Sequence, residues 1–336
     1  MSARRVTSLE VAAKAGVSQS AVSRVFSGAS ASQATVKKVR AAAEELGYRP
    51  NVLARSLITG RSRLIGLVVA YLDNQFYPVA LERLSHALQE QGYHIMIFMA
   101  SARGPDVDRV INELLDHQVD GIITASVGLT DALTARCDKA GIPVVLFNRG
   151  QKDRRLPEVT SDNIAGGKQI AKFLSSGGHA RIGHISGWAG SSTGQDRAAG
   201  FAAGLQDAGV DLVAQIDGLY TREGASDAAR VMVEQHKVDA LFVGNDHMAF
   251  AVMDTLRGEM GLSVPDDVSI VGYDDVPMAA WAAYDLTSLR QPVNQMVSAT
   301  VSLLMDMING VSTARKTQIE GPLIVRGSAK IPEGWT

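Results

Sequence analysis

Thr7–Gly28 reads TSLEVAAKAGVSQSAVSRVFSG, and the architecture of the N-terminal region follows from it. Thr7 stands where a helix N-cap is wanted, and Glu10 follows three residues later, the reciprocal spacing of a capping box. Val6 to Lys14 therefore reads as a short amphipathic helix. Ala15-Gly16-Val17 breaks it, because Gly16 has no β-carbon to oppose the left-handed backbone of a tight helix–helix turn. Ser18 then caps a second helix over Gln19–Phe26, with Val22 and Val25 turned inward and Gln19, Ser20, Ser23 and Arg24 outward. A third helix is expected from Thr35 to Leu46, carrying Lys37, Lys38 and Arg40. A three-helix unit whose second helix starts with short polar side chains and an arginine suits entry into a major groove by its N-terminal end.

Charge supports that reading. The 336 residues carry a net charge of −2, but it is unevenly spread. Residues 1–63 hold eleven Lys/Arg against three acids, and the remainder holds 22 against 32. A basic segment on an acidic body is the footprint of a polyanion-binding head; a solvated charged face would show the same imbalance, and it is the motif that favours DNA. After the third helix comes Glu44–Leu57, EELGYRPNVLARSL, where the Pro50-Asn51 turn signal precedes about two turns of helix. So short a helix is marginal alone in water, as a hinge that folds against a partner would be; an ordinary linker would read the same way.

These two strings together resemble the lac repressor (LacI/GalR) family. The resemblance implies that Gln19, Ser20 and Arg24 reach base edges, Arg24 being apt for a bidentate contact to guanine. It implies that Thr7, Ser18 and Ser23 hold phosphates and set the register. It places Leu57 as a wedge in a central minor-groove step, with Ala54 and Arg55 along the groove. It further implies a homodimer on a near-palindromic double-stranded operator.

Beyond Arg63 the pattern alternates. Leu64–Ala70 is a continuous apolar run, as expected of a parallel strand buried on both faces. Further strands are expected at 94–99, 121–124, 143–147, 181–186, 240–243 and 268–272. The intervening helices are expected at 78–91, 106–118, 130–140, 165–176, 195–208, 225–235 and 246–259. Repeated βα units in two sets imply two lobes of parallel sheet with a cleft between them. The expected fold is thus an all-α helix-turn-helix head plus an α/β, two-lobed core, which the family resemblance makes periplasmic-binding-protein-like. The expected domains are 1–48 (head), 49–62 (hinge and linker), 63–163 with 292–320 (N-terminal lobe) and 164–291 with 321–332 (C-terminal lobe). The chain exchange at Leu289–Pro292 and the return over Gly321–Arg326 are implied by the family alone.

Ligands of open parallel sheets bind beyond the carboxyl ends of the strands. The polar residues there include Asn74, Asn148, Arg149, Thr193, Asp196, Arg197, Asn245 and Asp274, a set able to satisfy many hydroxyls. In the family the positions of Arg197, Asn245 and Asp274 contact the effector. Asn74, Phe76, Asn148 and Thr193 complete the expected effector-binding set. Asn245 would equally serve as a helix cap, and Asp162 as a turn residue. The position where several relatives carry an aromatic ring is aligned with Ser226, so Phe76 or Trp281 is expected to supply the stacking face. Arg149 raises the alternatives of an acid sugar or sugar phosphate, and a purine is also open; a sugar or sugar derivative is the expected effector.

No G-x-G-x-x-G or G-x-x-x-x-G-K-[ST] cradle occurs where a cofactor or nucleotide would need it, and no nucleophile elbow surrounds Ser191-Ser192. His179 and His184 lie close in sequence without an accompanying acid or cysteine cluster. No catalytic residue, metal or cofactor is therefore expected. The lone Cys137 excludes a disulfide framework and suits a reducing compartment. No signal sequence or apolar run of membrane-spanning length appears, so a cytoplasmic protein with no membrane partner is expected. A transporter's solute-binding protein would share the two lobes but not the basic head. The C-terminus carries no leucine heptad.

Overall fold

The computed structural model describes residues 6–27, 30–49, 60–100, 106–127, 130–151, 155–311 and 316–335. The chain divides into two units, Met1–Arg63 and Leu64–Thr336.

In the first unit, α1 (Ser8–Ala15) starts at the Thr7 cap, with both halves of the capping box formed. It stops at Gly16 in the left-handed region, φ 65°. The second helix, α2 (Gln19–Ser27), is opened by the Ser18 hydroxyl, which accepts from the Ala21 N–H at 3.2 Å. Ser32 caps α3 (Gln33–Leu46), which begins two residues earlier than the sequence suggests. Val11, Ala12, Val22, Val39, Ala42 and Ala43 form a small core of their own. The hinge positions Ala54, Arg55 and Leu57 lie outside the described residues.

The second unit is two six-stranded sheets. In chain order its elements begin with β1 (Leu64–Val69), α4 (Phe76–Glu90), β2 (His94–Met99), α5 (Asp106–Asp116), β3 (Gly121–Ala125) and α6 (Asp131–Ala140). They continue through β4 (Val144–Phe147), β5 (Glu158–Ser161), α7 (Asn163–Ser176), β6 (Ile182–Ser186), α8 (Ser192–Asp207), β7 (Ala214–Asp217) and α9 (Arg222–Glu234). Next come β8 (Ala240–Val243), α10 (Asp246–Asp254), β9 (Ser269–Asp274), β10 (Thr287–Arg290), α11 (Val293–Ile308), β11 (Lys316–Ile319) and β12 (Leu323–Ile324). The sheet orders are β11-β5-β4-β3-β1-β2 and β12-β10-β9-β8-β6-β7. All pairings are parallel except β12 on β10. Each sheet therefore winds outward in both directions from its first strand, which creates a crevice at the carboxyl ends of β1/β3 and of β6/β8.

Central strands β3, β4, β6, β8 and β9 are buried throughout, while the edge strands β2 and β11 alternate with solvent. Five strands differ from the sequence reading. Residues 158–161 and 316–319 add β5 and β11 to the first sheet, 214–217 and 323–324 add β7 and β12 to the second, and the expected crossover at Leu289-Arg290 is itself the end of β10. The helix expected through Glu259 ends at Asp254 and widens into a turn closed by Met260 N to Thr255 O at 3.1 Å. The α7–α8 pair is pressed close: a β-carbon at Gly167 or Gly200 would run into the backbone of the other helix. That approach brings Asn163 and Arg197 face to face.

Candidate functional site

The outer face of α2 is open. Thr7, Ser18, Gln19, Ser20, Ser23 and Arg24 are all exposed. Ser18 and Ser20 share a 2.9 Å hydroxyl contact, and Gln19 Nε2 donates to Ser8 Oγ at 3.0 Å, which pre-orders the face. Arg24 is exposed and makes no ion pair among the described residues.

In the second unit, one buried polar cluster ties the two lobes together. Arg197 is 3% exposed. Its Nε donates to Asn163 Oδ1 at 2.9 Å, its Nη1 to the Gly244 carbonyl at 2.6 Å, and its Nη2 to Asp274 Oδ1 at 3.5 Å. The guanidinium carbon lies over the Tyr273 ring, 3.6 Å from its centroid. Asp274 also accepts from Gln291 Nε2 at 2.7 Å and, across the cleft, from Asn74 Nδ2 at 3.3 Å. Burial opposes the Arg197 charge, but Asp274 together with Tyr273, Tyr220 and Tyr77 outweighs it, and the guanidinium titrates above its ordinary range. Burial pushes the Asp274 carboxyl up against the pull of Arg197, Gln291 and Asn74. The neighbouring Asp246 is pushed well up by burial and by the Asp274 charge. Asp274 and Asp275 both have positive φ, 119° and 53°. Two successive non-glycine residues in that region mark a strand end held under strain by its surroundings.

Beside this cluster opens a cavity of 410 Å³, within the usual size of small-molecule sites. The rings of Tyr71, Tyr77, Trp188 and Tyr220 line it, with Asn148 and Thr193. Asn148 is 5% exposed and sits at φ 56°. Its Nδ2 donates to the Tyr77 hydroxyl at 3.3 Å, while Oδ1 has no hydrogen-bond partner among the described residues. A buried acceptor left without a donor is costly unless a ligand supplies one. Arg149 donates to the Ser126 carbonyl and, at 3.3 Å, to the Gly190 carbonyl of the other lobe, and it lies 5.1 Å above Trp188.

The effector-binding set expected from sequence is thus divided. Asn74, Arg197 and Asp274 form one bonded cluster, and Asn148 and Thr193 line the 410 Å³ cavity. Asn245 is buried and caps α10, its Oδ1 accepting from Met248 N at 3.0 Å. Phe76 turns into the first lobe's core, stacked on Phe147 at 6.2 Å, and lines a separate pocket of 270 Å³ with Asp274 and Gln291.

Of the two rings expected to supply a stacking face, neither Phe76 nor Trp281, which is 56% exposed, lines the 410 Å³ cavity. Tyr220, six residues before Ser226, does line it, packed on Gly187 so tightly that a β-carbon there would overlap its ring. Sequence reasoning missed Tyr220 because β7, AQID, is short and polar; once β7 is a strand, Tyr220 falls just beyond its carboxyl end. His184, by contrast, is a core residue, stacked on Phe242 at 4.5 Å with its pKa pushed down to about 3 by burial.

A family profile described as bacterial regulatory proteins, lacI family, matches residues 8–51, and one described as a periplasmic binding protein-like domain matches residues 171–329. The HTH-type transcriptional regulator CelR of Thermobifida fusca is 35% identical over 98% of this chain and 100% of its own length. The structure of a transcriptional regulator CelR–cellobiose complex superimposes with a TM-score of 0.73 at 33% identity, covering 97% of this chain and 100% of the other. A lac repressor dimer bound to operator and the anti-inducer ONPF gives a TM-score of 0.86 at 26% identity, covering 97% and 99%.

Proposed function

Because this chain belongs to the lacI family of bacterial regulatory proteins, a family of transcriptional regulators and not of enzymes, we propose that it is a repressor acting in the cytoplasm. It binds a near-palindromic operator as a homodimer, and a carbohydrate in the cleft sets its affinity for that operator. Gln19, Ser20 and Arg24 read bases, while Thr7, Ser18 and Ser23 hold phosphates. The lobes correspond to 63–163 with 292–320 and to 164–291 with 321–332. Ligand entry alters the Asn74–Asp274 link between them, and the two lobe arrangements need differ in effector affinity by only about 1–3 kcal/mol to switch operator binding.

One observation carries the ligand class: a cavity walled by four aromatic rings, with the buried Asn148 Oδ1 waiting for a donor. Sugar rings offer C–H faces for stacking and hydroxyls for such acceptors. A neutral sugar is favoured over an acid sugar or sugar phosphate because the Arg149 fork is already occupied by two carbonyls and the Trp188 face. A β-linked glucose disaccharide is the first candidate, since the similar CelR is known in complex with cellobiose.

Calorimetry against mono- and disaccharides, sugar phosphates and purines tests the ligand class. Anisotropy of a labelled inverted-repeat duplex from the gene's own upstream DNA, with and without the bound compound, tests the switch. Tyr220→Ala should weaken sugar binding about tenfold while operator affinity without sugar is kept. Tight binding of a purine or sugar phosphate with no sugar response would overturn the carbohydrate reading.

A further inference from the structure

Arg149 and Thr193 line the 410 Å³ cavity, and the same two residues also line a second cavity of 850 Å³. The two cavities therefore adjoin at these residues, where the Arg149 guanidinium reaches the Gly190 carbonyl at 3.3 Å in an exposed hydrogen bond. The second cavity has none of the aromatic character of the first. Its walls include Glu158, Thr160, Asn163 and Lys316 from the first lobe and Gln195 and Asp196 from the second.

Most of these polar groups already have partners. Lys316 pairs with Glu158 at 3.5 Å, Gln195 Nε2 donates to the Ala189 carbonyl at 2.7 Å, and Asn163 is held by Arg197 and the Ser161 carbonyl. Asp196 differs. It is half-buried at the start of α8, one residue before the buried Arg197, and its carboxylate makes neither a hydrogen bond nor an ion pair among the described residues. Burial pushes its pKa up against the opposing charge of Lys316. A carboxylate offers two oxygens side by side and accepts only. Partly desolvated and facing a large cavity, it is suited to a pair of neighbouring hydroxyls, which it would bind by charge-assisted hydrogen bonds.

We propose that the effector site is bipartite. Resting on the carbohydrate reading above, the proposal is that one sugar unit stacks in the aromatic cavity while a further unit of the same ligand passes Arg149 into the second cavity. There Asp196 accepts two of its hydroxyls. The effector is accordingly a neutral di- or oligosaccharide, and chain length is sensed at Asp196, separately from the stacking that binds the first ring.

The test is calorimetry on the full-length protein with glucose, cellobiose and cellotriose, comparing wild type with Asp196→Asn. The substitution preserves volume and leaves half-buried surface, and the melting temperature reports that folding is intact. In wild type, affinity should rise with chain length. In the variant, the gain from the added unit should fall about tenfold, the worth of a charge-assisted bond. If the two proteins show the same gain per added unit, or if glucose binds as tightly as the longer sugars in wild type, the bipartite site is wrong while the carbohydrate reading stands. If no sugar of any length binds, both fall together.

Discussion

Asp274→Asn separates the charge of the cross-lobe cluster from its shape. The carboxylate is 5% exposed and receives Gln291 Nε2 at 2.7 Å, Asn74 Nδ2 at 3.3 Å and Arg197 Nη2 at 3.5 Å. An amide keeps the volume but offers one oxygen and one NH2 group. With that oxygen facing Gln291, the NH2 group meets Asn74 Nδ2, donor against donor. Asn74 cannot turn its own oxygen inward, because Oδ1 already accepts from the Phe76 N–H at 3.1 Å. The lobe-to-lobe bond is therefore lost, at about 1 kcal/mol. Arg197 keeps Asn163, the Gly244 carbonyl and the Tyr273 face but loses its buried counter-charge. Removing one partner of a buried pair costs about 3–5 kcal/mol, and the surviving contacts place this case at the low end. The total, about 3–4 kcal/mol, corresponds in a unit of this size to a melting temperature lowered by roughly 5–7 °C. Scanning calorimetry of the whole chain reads it, and the variant's calorimetric response to sugar should disappear with it. A melting temperature within about 1 °C of wild type, together with an unchanged sugar titration, would show that the cluster neither holds the lobes nor forms part of the site.

Two further outcomes follow from other parts of the chain. Arg24→Ala should cost about 1–3 kcal/mol of discrimination between the operator and a duplex altered at one guanine, with affinity for random duplex much less affected; wild-type discrimination in competition anisotropy would remove Arg24 from the base-reading set. His184 has its pKa pushed down to about 3 by burial, whereas the unfolded chain takes up the proton near pH 6.5. The folded state refuses that proton, so stability is complete above about pH 6.5 and falls as pH drops toward 3, by about 2 kcal/mol at pH 5. His184→Phe, filling the space against Phe201 and Phe242, should abolish that share of the loss between pH 7.5 and pH 5 in urea denaturation. The remaining dependence then belongs to other groups such as His179 and His247, also lowered by burial; identical slopes in variant and wild type would contradict the assignment.

The three head helices could be read from the chain alone because their determinants are local. Thr7 bonds to a residue three positions away, Gly16 turns its own backbone, and Ser18 caps the helix that follows it. The same holds for β1, β4 and β8, whose unbroken apolar runs announce strands covered on both faces. By contrast EVTS, AQID, TSLR and KTQI are strands only because a neighbour hydrogen-bonds to them, and strand character of that kind resides in the partner more than in the segment.

The site divides along the same line. That polar residues beyond apolar runs would gather at one crevice was legible, because parallel βα order sends every carboxyl end to the same side. That Asn74 bonds Asp274, 200 residues away, that Arg197 lies on Tyr273, and that Tyr220 supplies a ring of the cavity were decided by tertiary structure. Which side chains meet there depends on sheet order and on the close approach of α7 to α8, and no local periodicity encodes either.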